Sequence, residues 1–166
     1  MSNYDWRQFC VRINVNAPAE RIYRCWSTRE GMEFWFLRFC EYKAPDGRLR
    51  AGNEPVGKDD SYTWRWHGWS DDTTEFGRIL DCNGRDFLKF SFGNAGDCSM
   101  RIRFEQQQHI VELLQENIPD TDEGKRVWHL GCKTGWTFYL ANLKSLLEGG
   151  IDLRNNDVNL QQMLNS

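Results

Sequence analysis

The sequence lacks any long apolar run, and this absence argues against a membrane protein. Its first residues are polar and charged, without the apolar segment that a secretory signal peptide carries. No later stretch approaches the roughly 20 consecutive apolar residues that a membrane-spanning helix needs. We therefore expect a cytoplasmic protein with no membrane span.

The short motifs of common catalytic and nucleotide-binding sites are also missing. The sequence contains no GxSxG, GxxxxGK[ST] or GxGxxG pattern. Its acidic pairs, Asp59-Asp60 and Asp71-Asp72, fall in predicted loops, where solvation is their ordinary explanation. No catalytic residue is assigned on this basis, and an enzyme is the less expected class of protein.

Clusters of basic residues are absent as well. The formal net charge is -3, and acidic and basic residues are interspersed along the chain. A nucleic-acid binder needs a concentrated positive surface, so we expect no nucleic-acid partner. Arg101 and Arg103 share one face of a predicted strand, and a solvated strand face explains them better than a phosphate site does.

The six cysteines form no CxxC pair. Their even number would permit disulfides, but a reducing cytosol argues against them and favours small buried hydrophobic side chains. His129 and Cys132 lie three residues apart on a predicted helix, which is an incomplete metal-binding pattern. We expect no metal site and no cofactor.

Aromatic residues, in contrast, are abundant: eight Trp, ten Phe and five Tyr. Two interpretations stay open at this point. The rings could simply fill a well-packed core, or some of them could line a cavity that binds an apolar molecule.

Alternation of apolar and polar residues predicts six to seven short strands. Pro18 at the first helical position and the apolar stripe of Ile22, Cys25 and Trp26 predict a first short helix, and a second is predicted over residues 32–36. Turn signals, including Pro45-Asp46-Gly47 and Asn83-Gly84, separate consecutive strands and favour an antiparallel arrangement. The predicted strands are residues 9–15, 39–42, 61–67, 76–82, 87–92, 100–105 and 110–115.

After Pro119 the apolar spacing becomes helical and continues to Gly149-Gly150, which predicts one long helix over residues 123–148. Gly131 and Gly135 lie inside it and could allow close packing or a bend. The element order predicts an α+β fold in which a curved antiparallel sheet grips the long helix on its concave face. We expect a single domain over residues 1–154 and a polar tail over residues 155–166, either a short helix or disordered. The tail or an open sheet edge could support a homodimer.

Several local motifs follow this order and together resemble the START-like, helix-grip superfamily. Within it, the chain is similar to the branch named after the C-terminal domain of the activator of the heat-shock-protein-90 ATPase. The motifs that carry the resemblance are Val15-Asn16-Ala17-Pro18 with Ile22, Tyr23 and Trp26; Trp35-Phe36; Gly57 with residues 62–68; Gly77-Arg78-Ile79-Leu80; residues 88–92; Gly135-Trp136; Asn142-Leu143-Lys144 with Leu147-Glu148; and Asp152-Leu153-Arg154.

The resemblance implies a cavity between sheet and helix that binds apolar molecules, as members of the superfamily often do. Some relatives are cyclases, hydrolases or lipid carriers. The heat-shock activator itself carries a separate N-terminal domain that contacts the chaperone. Because the first predicted strand here begins at Phe9, we expect no such domain and no chaperone partner.

The candidate ligand-binding residues come from the strand that carries most tryptophans and from the long helix. Tyr62, Trp64 and Trp66 share one strand face, which would lie opposite Trp136 and Leu140 if it is concave. Arg78 shares the strand parity of Phe76 and Leu80, which would place it on the inner face, and it is a candidate for orienting a polar part of the ligand, since a buried arginine needs an anionic partner. His67 falls on the other strand face and is better explained as a surface histidine than as a general base.

Three functional hypotheses follow. The first is a non-enzymatic domain that binds a small apolar or amphipathic molecule between sheet and helix. The second is a cyclase- or hydrolase-type enzyme that uses the same cavity, and the third is a protein-interaction or stress-response module.

Overall fold

The strands join into one open antiparallel sheet of seven, with the first and second strands at opposite edges. The computed structural model describes residues 4–166, and the first three residues of the predicted domain lie outside this range. The spatial order is β1-β7-β6-β5-β4-β3-β2. The strands are β1 Phe9–Val15, β2 Phe39–Lys43, β3 Ser61–Arg65, β4 Thr74–Cys82, β5 Phe87–Ser91, β6 Asp97–Glu105 and β7 Gln108–Glu116.

Two short helices connect β1 to β2: α1, Ala19–Ser27, and α2, Arg29–Trp35. The apolar stripe predicted for α1 is confirmed, because Ile22, Cys25 and Trp26 are all buried. Pro18 directly precedes the helix instead of occupying its first position. Thr28 separates the two helices, and its hydroxyl accepts a hydrogen bond from Gly31 N at 3.0 Å. This cap lets α2 begin three residues before the predicted start.

The long C-terminal helix has two parts: a π-helical segment, Gly124–Gly131, and the α-helix α3, Cys132–Leu147. Its Trp136 side chain reaches the core, with ring centroids 4.9 Å from Phe36 and 5.8 Å from Trp26. The predicted α+β helix-grip fold is thereby confirmed. The π-helical segment was not predicted, because apolar spacing does not distinguish it from an α-helix. None of the helices within residues 4–166 has the length and apolarity to cross a bilayer.

Asn142 is a fully buried polar residue that joins α3 to two other segments. Its Nδ2 donates a hydrogen bond to Trp35 O at 2.8 Å, at the end of α2. Its Oδ1 accepts a hydrogen bond from Leu153 N at 2.8 Å, just after the helix. A single side chain therefore satisfies backbone groups at both places.

We predict that Asn142→Leu lowers the free energy of unfolding by about 2 kcal/mol, because it leaves a buried carbonyl and a partly buried N–H without partners. Urea unfolding measures this change. Asn53→Leu, in an exposed loop, is the matched control and should change stability by less than about 0.5 kcal/mol. Equal stability of Asn142→Leu and the wild type would contradict the structural role of Asn142.

One residue of the acidic pair Asp59-Asp60 is buried, although its position in a predicted loop suggested that it would be solvated. Asp60 is fully buried and accepts two hydrogen bonds from Arg50, Nε at 2.8 Å and Nη2 at 2.9 Å. Gly57 N donates a third hydrogen bond to the carboxylate at 2.8 Å. The expectation of solvation is therefore wrong for Asp60, although Asp71 is exposed and pairs with Arg38.

The tail over residues 155–166 forms neither a helix nor a strand, so its predicted helical alternative is wrong. It folds back on itself through a hydrogen bond from Asn155 N to Asn165 O at 2.6 Å. The Tyr139 hydroxyl of α3 then donates a hydrogen bond to Ser166 O at 2.7 Å. This contact brings the tail to the same end of the helix as the cavity described next.

Candidate functional site

A cavity of about 300 Å³ lies between the C-terminal helix and the turn that follows β3. We call it the aromatic groove, because seven of its lining side chains are aromatic rings. Smaller side chains and two glycines complete the lining, and none of the lining side chains is charged. The lining residues are Phe36, Trp66, Trp69, Thr73, Phe92, Val127, Trp128, Gly131, Cys132, Gly135, Trp136, Tyr139 and Ser166.

The helix contributes bare backbone to one wall of the groove. A Cβ added at Gly135 would meet no atom within 4 Å, and one at Gly131 would meet only Arg126 O, at 3.9 Å. Both glycines therefore border open space, and no neighbouring element packs closely against the helix at either position. The interpretation that they allow close packing is wrong for both. Gly131 does mark a change in the helix, since the π-helical segment ends there.

The opposite wall comes from the turn after β3. The strand ends at Arg65, two residues before the predicted end, so Trp66 and Trp69 lie on the turn. The Trp66 ring packs edge-on against Phe36 at 5.7 Å and Phe92 at 6.4 Å. Trp69 remains 42% exposed, which leaves a large apolar surface at the opening of the groove.

The structure brings only two of the six predicted ligand-binding residues to the groove, Trp66 and Trp136. The Trp136 ring is anchored in the core, because its Nε1 donates a hydrogen bond to the buried Gln115 Oε1 at 3.0 Å. This bond and the stacking on Phe36 fix the indole with one surface toward the groove. Both residues therefore fit the cavity interpretation of the aromatic excess.

Tyr62, Trp64 and Leu140 lie in the core behind the groove and are at most 2% exposed. The Tyr62 and Trp64 rings stack on each other at 3.7 Å, and the Tyr62 ring covers Gly77 so closely that an added Cβ would lie 2.4 Å away. The Trp64 and Trp66 face was expected to lie opposite the helix. Phe36 packs between them, because its ring contacts Trp64, Trp66 and Trp136. Tyr62, Trp64 and Leu140 therefore fit the interpretation in which the side chains simply fill a well-packed core.

Arg78 does not face the groove. It is exposed on the outer face of β4, with Phe76, which is 69% exposed. The inward residues of this strand are Glu75, Gly77 and Ile79, as the pairing of Trp64 with Glu75 shows. The expectation that Arg78 contacts a buried ligand is therefore wrong, because it took Phe76 and Leu80 as markers of the inner face.

Glu75 is a candidate functional residue that the sequence pattern did not reveal. Its side chain is half-buried on the concave side of β4, and burial raises the pKa of its carboxyl group. A Cβ added at Gly93 would lie 2.6 Å from Glu75 Oε1, so the carboxylate lies beside the residue that follows Phe92 in the groove wall. Only the cross-strand register could have identified it, because its own sequence neighbours are polar or exposed.

The remaining titratable candidates have other surroundings. Burial raises the pKa of the Cys132 thiol in the groove wall, which disfavours a reactive thiolate. His129 is fully buried, and its ring nitrogens contact the Tyr4 hydroxyl at 2.9 Å and Trp6 O at 2.8 Å. His67 lines a neighbouring polar depression, and its partial burial lowers its pKa.

Comparison with known proteins places the chain in a family. The model of a family described as Activator of Hsp90 ATPase homolog 1-like protein matches residues 16–148. A search of curated protein sequences found no significant match.

Several solved structures share the fold at low sequence identity. The Aha1 dimer from Colwellia psychrerythraea is 19% identical, with a TM-score of 0.65, over 86% of this chain and 97% of that one. Protein SSP2350 from Staphylococcus saprophyticus is 18% identical, with a TM-score of 0.67, over 89% and 96%. CalU16 from Micromonospora echinospora is 15% identical, with a TM-score of 0.62, over 88% and 77%.

These likenesses show the fold, and the family match spans more than half of the chain. The helix-grip architecture, with its long helix across a seven-stranded sheet, agrees with both. The protein therefore belongs to the activator of Hsp90 ATPase homolog 1-like family of the START-like superfamily.

Proposed function

We propose that this protein binds a small apolar or amphipathic molecule in the aromatic groove. The observation that carries the proposal is a cavity of about 300 Å³ with bare glycine backbone on one side and aromatic rings on the other. Pockets for small molecules range from roughly 300 to 1,000 Å³ and are mostly apolar. The volume therefore favours a ligand of two or three fused or linked rings, or a short aliphatic chain.

The surroundings of the groove favour binding without large rearrangement. The Phe36 and Trp136 rings are nearly fully buried and packed against other core rings, so they lose little conformational freedom when a ligand binds. Trp66 and Trp69 add apolar surface that water covers in the free protein. Transfer of a ligand onto this surface is stabilised by the hydrophobic effect.

The enzymatic alternative requires at least two titratable groups that act on a bound substrate. Among residues 4–166, Cys132 and Tyr139 are titratable side chains that line the groove and Glu75 lies beside it, and burial raises the pKa of all three. A thiol with a raised pKa is a poor nucleophile at neutral pH. These surroundings favour the binding hypothesis over the catalytic one.

Self-association stays a prediction. Its support is the Colwellia psychrerythraea relative, whose solution structure is that of a dimer. Light scattering tests it directly: a two-chain mass would support a homodimer, and a one-chain mass at high concentration would contradict it.

Titration with N-phenylnaphthylamine, an uncharged fluorescent probe with three aromatic rings, tests the proposed binding. We expect saturable fluorescence enhancement with one site per chain. Trp69→Ala should weaken binding about fivefold, because it removes an aromatic surface at the opening of the groove.

Phe76→Ala is the matched control, since Phe76 is also a large exposed aromatic residue but lies on the outer face of β4. Its affinity should equal that of the wild type. Absence of saturable binding, or equal weakening by both substitutions, would contradict binding in the groove.

A further inference from the structure

Glu75 places one carboxylate next to an aromatic groove whose lining side chains are uncharged. Thr73, two residues before it in the chain, lines the groove, and the Glu75 Oε1 lies against Gly93, next to the groove residue Phe92. Its negative charge also contributes to the raised pKa of Cys132, after burial, and Cys132 lines the groove from the helix side. The carboxylate is therefore adjacent to lining residues of the groove, although Glu75 is not itself one of them.

The Glu75 carboxylate has no hydrogen-bond or ion-pair partner among the described residues 4–166. Ion pairs and side-chain hydrogen bonds are frequent elsewhere on the chain, as with Lys89 and Glu116 at 2.8 Å. A half-buried carboxylate without a partner loses part of its hydration and gains nothing in return. A cationic group bound beside it would supply the missing partner.

The rest of the groove is also suited to a cation. Aromatic rings attract organic cations through their faces, and sites for quaternary ammonium groups are built from such rings. No Lys or Arg side chain lines the groove to repel a positive charge. An organic anion, in contrast, would meet only the negative charge of Glu75.

We propose that the aromatic groove selects amphipathic organic cations, with an amine or ammonium group held by Glu75 and an apolar body held by the rings. The inference rests on the proposed binding function and adds the charge class of the ligand. It predicts that affinity follows the charge of the polar group when the apolar body is held constant.

This selectivity depends on pH in a defined direction. The Glu75 carboxyl must be ionised, so the preference for a cation should decline as the pH falls through its raised pKa. The other titratable groups near Glu75 are Tyr62, Cys98 and Cys132, and all three have a raised pKa, chiefly because they are buried. These three groups remain neutral over the same pH range and do not oppose the decline in cation preference.

Three naphthalene probes that differ only in their polar group test the inference: naphthylmethylammonium, naphthylmethanol and naphthoate. Calorimetric titration at neutral pH should rank them in that order, with the ammonium probe about tenfold tighter than the alcohol. Glu75→Gln keeps the shape of the side chain and should reduce that ratio to about one, with little change for the alcohol. Asp72→Asn, an exposed position in the adjoining loop, removes the same charge and should leave the ranking unchanged.

The outcomes separate this inference from the function on which it rests. If the wild type binds none of the three probes, the proposed function fails. If naphthylmethanol binds but the ammonium probe binds no tighter, or if Glu75→Gln preserves the preference, only the charge selectivity is overturned. Thermal unfolding of Glu75→Gln should show a folded protein at least as stable as the wild type, because the substitution removes a desolvated charge.

Discussion

Gly135→Leu is expected to reduce N-phenylnaphthylamine binding by at least about tenfold and to raise the stability of the free protein. A side chain at position 135 would enter the groove without meeting backbone, because an added Cβ has no atom within 4 Å. Leucine is also a better helix former than glycine, by about 0.8 kcal/mol, and its apolar side chain would contact the surrounding rings. A substitution that blocks the site while stabilising the fold separates binding from structural damage.

Fluorescence titration and urea unfolding measure the two effects. Thr137→Leu is the control, since it adds the same side chain to an exposed position of the same helix. It should leave probe affinity unchanged. Undiminished binding by Gly135→Leu, with the variant folded, would mean that the probe binds elsewhere.

Arg50→Ala is expected to lower the free energy of unfolding by about 3–5 kcal/mol, the cost of leaving a buried charge without its partner. The Arg50 side chain is only 18% exposed, and its partner Asp60 is fully buried. After the substitution, Gly57 N would be the remaining described hydrogen-bond donor to the carboxylate. The loop that precedes β3 would then have to open or the carboxyl would have to bind a proton.

The neighbouring Arg48 provides a matched control for this prediction. Arg48 pairs with Glu54 at 2.8 Å, but its side chain is 55% exposed. Exposed ion pairs contribute less than about 1 kcal/mol, so Arg48→Ala should be only slightly destabilising. Urea unfolding of both variants measures the two changes. Similar losses of unfolding free energy from the two substitutions would contradict a special role for the buried pair.

Local periodicity was sufficient to predict most of the fold. Clean alternation in residues 9–15 and 87–92 identified β1 and β5, because each of these strands has one buried face. The long apolar stripe before Gly149-Gly150 identified α3. The antiparallel order followed from the turn residues between strands, which leave no room for crossover connections.

The candidate site was harder to predict from the sequence than the fold, and β4 shows why. Its inward residues are Glu75, Gly77 and Ile79, and this set contains one acidic residue and one residue without a side chain. Gly77 is needed there because the Tyr62 ring lies over it. The outward set, Phe76, Arg78 and Leu80, is more apolar in sequence, so the pattern assigned the two faces in the wrong order.

The groove itself depends on tertiary contacts that no local pattern encodes. Trp64 and Trp66 have the same parity, yet one is a core residue and the other lines the cavity because β3 ends between them at Arg65. Gly131 and Gly135 were visible as unusual helical residues. Whether they adjoin another backbone or open space is decided by the position of the turn opposite them.

The side-chain N–H signals of the eight tryptophans offer the most direct test that the aromatic groove is a binding site. In a two-dimensional nitrogen–proton NMR titration with N-phenylnaphthylamine, we expect the indole signals of Trp66, Trp69 and Trp128 to shift progressively and saturate together. The signals of Trp6 and Trp35, which do not line the groove, should move little. Shifts confined to tryptophans outside the groove, or no saturable shift at all, would contradict the account.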